Sequence, residues 1–439
     1  MLHAKYLQGL ILALLATLFI ITSAEANPEI QHWRSANGAR VFFVPAPELP
    51  MVDVRVVFDA GSARDGKLPG LAMLTSGMLE EGAGALDADA IAERFDSLGA
   101  RFSADSQRDM ATVSLRSLTE PTLLEPALQT FALLLAQPNF PAEALERVRR
   151  QMLTGLQHEL QDPGAIASRA FYTALYGAHP YGIPPTGTEE SVRAISREDV
   201  LAFYRRNYVA RNAVVAIVGA LSRSEAEALA ETAVGRLPAG EAAPALPAAP
   251  SLGAAKVLHL DHPSSQTHLL MGEPGMRRGD PDYLPLYVGN HILGGSGLVS
   301  RISDEVREKR GLSYSAYSYF VPMRVAGPFT LGLQTRNENR AEALAVLRQT
   351  LARYVGEGPT DEELLAAKKN ITGGFPLNID SNSDILGYIA MIGFYGLPLD
   401  YLDTFNQRVE AVTAAQIRDA FARRVHPERM VTVTVGGGS

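Results

Sequence analysis

Ala194–Gly219, AISREDVLAFYRRNYVARNAVVAIVG, aligns without a gap on Ala411–Gly436, AVTAAQIRDAFARRVHPERMVTVTVG. Five of the 26 positions are identical: Ala194/Ala411, Arg206/Arg423, Val214/Val431, Val218/Val435 and Gly219/Gly436. The pattern is stronger than the count. Each segment opens on a hydroxyl residue, Ser196 or Thr413, whose oxygen can cap a helix. Each then carries a helical stretch and closes on a β-branched run ending in Val-Gly, which reads as a strand. A second echo is GARFSA (Gly99–Ala104) against GLSYSA (Gly311–Ala316). After each comes a strand, a long helical stretch (Leu123–Ala136; Arg340–Val355), a Pro-containing break and a second helix (Ala142–Leu160; Asp361–Ile371). A repeat fixes architecture, so the chain reads as two copies of one unit.

Alternation and β-branched runs predict strands over Arg40–Val44, Val52–Asp59, Ala111–Leu115, Ala213–Val218, Val257–Asp261, Thr267–Met271, Gly327–Gln334 and Met430–Val435. Strands and helices both come in neighbouring pairs. Strict βαβ alternation is absent, which predicts an α+β fold of two homologous domains, each a mixed or antiparallel sheet packed with helices. Residues 237–255, LPAGEAAPALPAAPSLGAA, read as a linker. The expected organisation is therefore 1–26 leader, 27–236 N-terminal domain, 237–255 linker and 256–439 C-terminal domain.

The 439 residues are 46% hydrophobic and 20% charged, so large cores are available. Net charge is −8, which argues against a nucleic-acid binder. Cysteine is absent. That excludes a cysteine nucleophile, a thiolate metal site, an iron–sulfur cluster and every disulfide. Residues 1–26 read as a secretory signal: Lys5, the apolar run Leu10–Ile21, then Ala24-Glu25-Ala26 as a small-x-small cleavage site. The run is shorter than the about 20 residues of a membrane span. The expected location is the periplasm, with no membrane attachment beyond the signal. An uncleaved anchor is the alternative.

Gly70–Gly84, GLAMLTSGMLEEGAG, resembles the active-site helix of the pitrilysin/insulinase zinc peptidases, the inverzincins. Their H-x-x-E-H motif sets two His on one helix face for Zn²⁺, with a Glu between them to polarise water. A third ligand, also Glu, lies further along the chain. Here Met73 stands at the first His, Ser76 at the Glu and Gly77 at the second His. The third-ligand window falls at Leu153, Thr154 and Gly155. The frame is present and the ligands are missing, so no metal is expected in this chain. Taken alone, Gly70–Gly84 is also compatible with an ordinary small-residue helix.

The resemblance extends over about residues 30–437. It includes HPYGIPPTGTEESV (His179–Val192), FPLNIDSN (Phe375–Asn382), YGLPLDYLD (Tyr395–Asp403) and, most specifically, ILGGSGLVSRISDEVREKRGLSYS (Ile292–Ser315). In that last stretch Arg307 and Tyr314 form the Arg-x6-Tyr pair that the family's C-terminal domain contributes to an active site across a chamber. The resemblance implies that they bind substrate backbone and stabilise the tetrahedral intermediate. A guanidinium and a phenolic O–H are donors suited to a developing oxyanion. The echo places Phe102 where the second copy has Tyr314. The alternative is that Arg307 is a solvated charge beside Glu305 and Glu308, and Tyr314 a strand residue. The resemblance further implies a partner of the same fold that carries H-x-x-E-H and the zinc, with peptides or unfolded segments as substrate, or else a non-enzymatic scaffold that kept the fold.

The other polar clusters read as structural. His158-Glu159 has no second His at i±4; His259, His262 and His268 straddle a strand and a turn; Ser76 has no base nearby in sequence; and Gly294-Gly295-Ser296-Gly297 lacks the Lys of a phosphate loop.

Overall fold

The computed structural model describes residues 29–437, so the expected leader lies outside the described residues. The first half comprises β1 (Gln31–Arg34), β2 (Arg40–Pro45), β3 (Met51–Phe58), α1 (Leu71–Gly77), a small hairpin of β4 (Gly82–Ala83) and β5 (Leu86–Asp87), α2 (Ala88–Ser97), β6 (Arg101–Ser106) and β7 (Ala111–Leu118). It continues through α3 (Pro121–Ala136), α4 (Ala142–Glu159), α5 (Pro163–Tyr176), α6 (Glu189–Ala194), α7 (Arg197–Asn207), β8 (Ala213–Gly219) and α8 (Arg223–Val234). Residues 238–252 carry neither helix nor strand. The second half comprises β9 (Lys256–Leu260), β10 (Gln266–Pro274), α9 (Tyr283–Asn290), β11 (Ala316–Phe320), β12 (Pro328–Arg336), α10 (Arg340–Glu357), α11 (Asp361–Gly374), α12 (Asn382–Tyr395), α13 (Tyr401–Glu410), α14 (Ala414–Arg424) and β13 (Val431–Val435).

Each half folds around one sheet, giving the α+β, two-domain architecture the sequence predicts. The strand orders are β1-β2-β8-β3-β7-β6 and β11-β12-β10-β13-β9. Every pairing is antiparallel except β2 with β8 and β9 with β13, which are parallel. The second sheet thus matches the first strand for strand from β2 onward. The ladders also fix equivalent residues. Val214 leads through Val57 and Thr112 to Asp105, and Val431 leads through Gly272 and Thr330 to Tyr319. Counting back from these ends makes Ala316, not Tyr314, the equivalent of Phe102. The sequence pairing is two residues out of register, because the chain enters β11 from a loop outside the ladder.

One face of each sheet packs on helices of its own half. The other face is covered by a helix from the opposite half. On α5, Ala167, Phe171 and Leu175 recur at four-residue spacing and pack against Val431, Val433 and Val435 of the second sheet. On α12, Leu386, Ile389, Ala390 and Phe394 pack against Val57, Val214, Ala216 and Val218 of the first. Burying each large apolar side chain contributes about 1.5–3 kcal/mol, so the exchange binds the halves firmly. Gly393 permits the close approach: a Cβ there would stand 2.6 Å from both Phe42 and Val214.

A polar hub crosses the same junction. Buried Asp109 accepts hydrogen bonds from the Tyr181 hydroxyl, from the Tyr395 hydroxyl at 2.9 Å and from the Arg324 backbone N–H at 2.7 Å. The Arg324 guanidinium reaches Asp59 at 3.2 Å and lies over the Phe394 ring. No helix among the described residues is long and apolar enough to cross a membrane.

Candidate functional site

Helix α1, where the resemblance puts the lost zinc ligands, is held by a dense set of contacts. Gly70 precedes α1 with φ +93°, a conformation that favours glycine. Buried Asp65 accepts from the backbone N–H groups of Gly70 and Ala72, each at 2.8 Å, and so caps the helix N-terminus. Burial outweighs those two donors and raises its pKa to about 7. The Thr186–Ser191 turn locks the entry. Ser191 Oγ donates to the Pro69 carbonyl at 2.8 Å, and a Cβ on Gly187 would strike that carbonyl at 2.4 Å. Arg149, reaching over from α4, donates to the carbonyls of Val192 and Ile195 and ties the next turn down. The sequence segment His179–Val192 is therefore the clamp on α1.

What the scaffold holds has no metal chemistry. Met73 and Gly77 are half-buried, and Ser76 is 2% exposed. The Ser76 hydroxyl lies beside that of Tyr208, whose pKa burial pushes up. Leu153, Thr154 and Gly155 sit on α4, where Thr154 donates its hydroxyl to the Arg150 carbonyl at 3.0 Å. These positions offer one soft thioether, two hydroxyls and no imidazole or carboxylate, a set that does not fit Zn²⁺. Among the described residues no cluster of three His, Asp or Glu is placed to hold a metal.

The Arg307–Tyr314 segment is built differently. Two wide π-helical turns, His291–Gly295 and Asp304–Glu308, frame it; such turns are frequent at functional sites. Arg301 anchors the stretch through both carboxylate oxygens of Glu363 at 2.6 Å and stacks over Tyr354. Glu305 is engaged by Lys309 at 3.0 Å and Arg310 at 2.6 Å, so it is not available to Arg307. Arg307 is half-buried, and among the described residues its guanidinium has one ion-pair partner, Glu308 at 3.4 Å. Tyr314 is not a strand residue: it stands in the loop before β11, 88% exposed. Ser313, buried beside it, donates to the carbonyls of Ser315 (2.8 Å) and Gln334 (2.7 Å), and Thr335 donates to that of Leu312 (2.5 Å). The backbone on either side is tied down, while the Tyr314 hydroxyl has no partner among the described residues.

Sequence reasoning missed the junction between the halves. Cavities of about 690 and 430 Å³ meet at Arg278 and Pro322. Tyr283 and Tyr287 stack at 5.7 Å, Tyr317 and Tyr319 at 5.4 Å, and Arg278 lies between Tyr283 and Tyr395. The alternation in Ala316–Phe320 was the available signal for the second pair. Among the described residues the other histidines build no metal-binding group, although Asp162 and His262 lie close enough to His268 for their charges to act on it. His259 engages Thr434 and Asp261, His268 engages Gln334, and His158 is exposed.

Fold and site together define a two-domain metallopeptidase-like protein in which α1 carries no metal ligand at the positions where the resemblance would set them. The chain belongs to the M16 (insulinase) peptidase family. Residues 40–189 match the domain described as insulinase, peptidase family M16, and residues 194–371 match the peptidase M16 inactive domain. It is 30% identical over 431 residues to an uncharacterized zinc protease of Mycobacterium leprae, covering 94% of this chain and 95% of that one. It is 27% identical over 375 residues to the non-peptidase homolog YmxG of Helicobacter pylori, covering 84% and 85%. A crystal structure of the peptidase M16 inactive domain from Pseudomonas fluorescens superposes with a TM-score of 0.90 at 42% identity, covering 93% of this chain and 98% of that one.

Proposed function

We propose that this chain is the zinc-free subunit of a periplasmic, heteromeric M16 peptidase. Its partner, a chain of the same fold carrying H-x-x-E-H, brings the zinc and the water-activating Glu. This chain brings Arg307 and Tyr314. The observation that carries the reading is a contrast within the chain: a clamped helix without ligands in one half and, in the other, a tied-down loop that projects a phenolic hydroxyl with no partner among the described residues. Held against a scissile carbonyl, that O–H and the Arg307 guanidinium donate to the oxygen as negative charge develops on it. The fixed backbone on either side of Tyr314 sets where its side chain starts, and bound substrate would orient both donors. Substrates are peptides or unfolded segments. The apolar run Leu10–Ile21 and the small-residue site at Ala24–Ala26 support export.

The test is reconstitution. Alone, the chain is expected to bind no stoichiometric zinc and to cleave no peptide. Mixed with an H-x-x-E-H homologue from the same genome, it is expected to raise peptidase activity above that of the homologue alone. A second reading, a peptide-binding scaffold without enzymatic role, is favoured by the name of the Helicobacter pylori relative. Complex formation with no gain in turnover would select it.

A further inference from the structure

The two sheets differ at one edge. In the first, β2 is covered by β1, which runs antiparallel to it from Gln31↔Phe43 to Arg34↔Arg40. His32 stacks on Phe42 at 6.4 Å on one face, and on the other Trp33 lies under Arg223 of α8 at 3.9 Å. In the second sheet β9 takes the place of β2. Val214 faces Arg40 and Val431 faces Lys256, so Arg40, Phe42 and Val44 correspond to Lys256, Leu258 and Leu260. Among the described residues nothing corresponds to β1 or α8 there. All five β9 residues are exposed, Val257 to 66%. A hydrophobic strand with a free edge is a template for another strand.

Beside this edge runs a mainly apolar groove of about 520 Å³ between β9 and α5, lined by Leu160, Ile166, Ala170, Ala174, Leu258 and Leu260, with Glu159, Arg169 and Lys256 also in its wall. The preceding segment does not fill the edge. Pro244, Pro247 and Pro250 have no N–H for a ladder, and Leu246, Ala249 and Leu252 pack instead beside the tyrosines at the end of α5.

We propose that β9 binds an extended segment of the polypeptide substrate as an added antiparallel strand, with apolar side chains at alternate positions seated in the α5 groove. The first sheet shows what the position takes: a short antiparallel strand, β1, whose residues alternate between half-buried and exposed. Backbone hydrogen bonds along the free edge supply affinity, and the groove selects the alternating side chains. A second copy of this chain fits less well. Pairing β9 with itself about Leu258 would add a second Lys256 to a wall that already holds Lys256 and Arg169 against the one carboxylate of Glu159, so like charges would gather there. The site lies at the opposite edge of the sheet from β11 and the Tyr314 loop, four strand spacings or about 19 Å away. It would anchor a chain at a distance from the reacting bond. The inference rests on the proposed function for the identity of the ligand, but its test needs no partner.

The probe is a fluorescein-labelled, end-capped peptide, Lys-Val-Thr-Val-Thr-Leu-Lys, titrated against the purified chain by anisotropy. Saturable binding is expected, weakened at least tenfold by Leu258→Asp and by Leu260→Asp, each checked for an unchanged melting temperature. Two versions of the peptide, N-methylated on one or the other alternate set of amides, separate strand addition from groove binding: one is expected to lose at least tenfold and the other to bind normally. No saturable binding, binding indifferent to both substitutions, or equal binding of both methylated peptides would overturn the proposal. So would a dimer, seen by sedimentation, that Leu258→Asp disperses, since a second copy would then hold the edge. Peptide binding at β9 without turnover in the reconstituted mixture would remove the proposed function and leave this site; turnover without such binding would do the reverse.

Discussion

The α1 helix and the Gly311–Ser315 loop are both fixed by buried side chains, yet they end in opposite ways. Around α1, Asp65, Ser191 and Arg149 hold a helix whose active-site positions are a thioether, a buried hydroxyl and a glycine. Around the loop, Ser313 and Thr335 hold a backbone from which Tyr314 reaches solvent. The difference teaches that scaffold and chemistry are separable in this fold. The scaffold of α1 is retained because it closes the core of the first half, where Leu71, Ala72 and Leu74 are buried. That role needs no metal.

Two large effects follow, and the first is Ser76→Glu, which places a carboxylate on α1 without a metal. Ser76 is buried beside Tyr208, so an added carboxylate has no water and no cation. A cost of about 3 kcal/mol is expected, read as a fall in melting temperature of several degrees. An unchanged melting temperature would show that α1 opens onto a solvated site after all. Next comes Asp65. Its proton leaves the unfolded chain near the usual carboxylate pKa of 3.8 but stays on the folded chain until about 7. The folded state therefore binds more protons across that window. This group makes stability fall as pH rises from about 4 to 7, by up to about 1.4 kcal/mol per pH unit. Urea unfolding of Asp65→Asn is expected to show a flatter profile over that range, and an unaltered slope would remove Asp65 from the clamp.

Smaller is Gly77→Ala. A Cβ there meets Val148 at an ordinary 3.5 Å, and alanine is the better helix residue. Stability is expected to stay level or rise, by less than about 1 kcal/mol. A substantial loss would mean that the position still serves something other than packing. Smallest is Tyr314→Phe, whose ring is exposed. Its effect on unfolding free energy is expected to stay within about 0.5 kcal/mol, so any functional loss is chemical. A clear destabilisation would make Tyr314 part of the scaffold and dissolve the contrast with α1.

Most strands were legible because a period of two with β-branched residues needs only local sequence: Val52, Val54 and Val56 announce β3, and Val431, Val433 and Val435 announce β13. That Met73, Ser76 and Gly77 offer neither imidazole nor carboxylate needs no structure, since residue type alone says so. The helix exchange was not legible. The spacing of Ala167, Phe171 and Leu175 shows that α5 has an apolar face, but not that its sheet lies in the other half. β1 escaped because Gln-His-Trp-Arg alternates without looking apolar. The loop position of Tyr314 escaped because Ser-Tyr-Ser-Ala alternates like a strand; the long-range bond from Ser313 to Gln334 holds it outside the ladder. The junction cavities draw on residues as distant as Arg108 and Tyr395, which no window of sequence brings together.

The central claim is that chemistry is divided between chains, with Tyr314 donating across the interface. The measurement is the turnover number of the reconstituted mixture with Tyr314→Phe, taken alongside the affinity of the two chains for each other. A fall in kcat of about tenfold or more is expected, with the complex as tight as before. Full activity, or a loss explained wholly by weaker assembly, would contradict it.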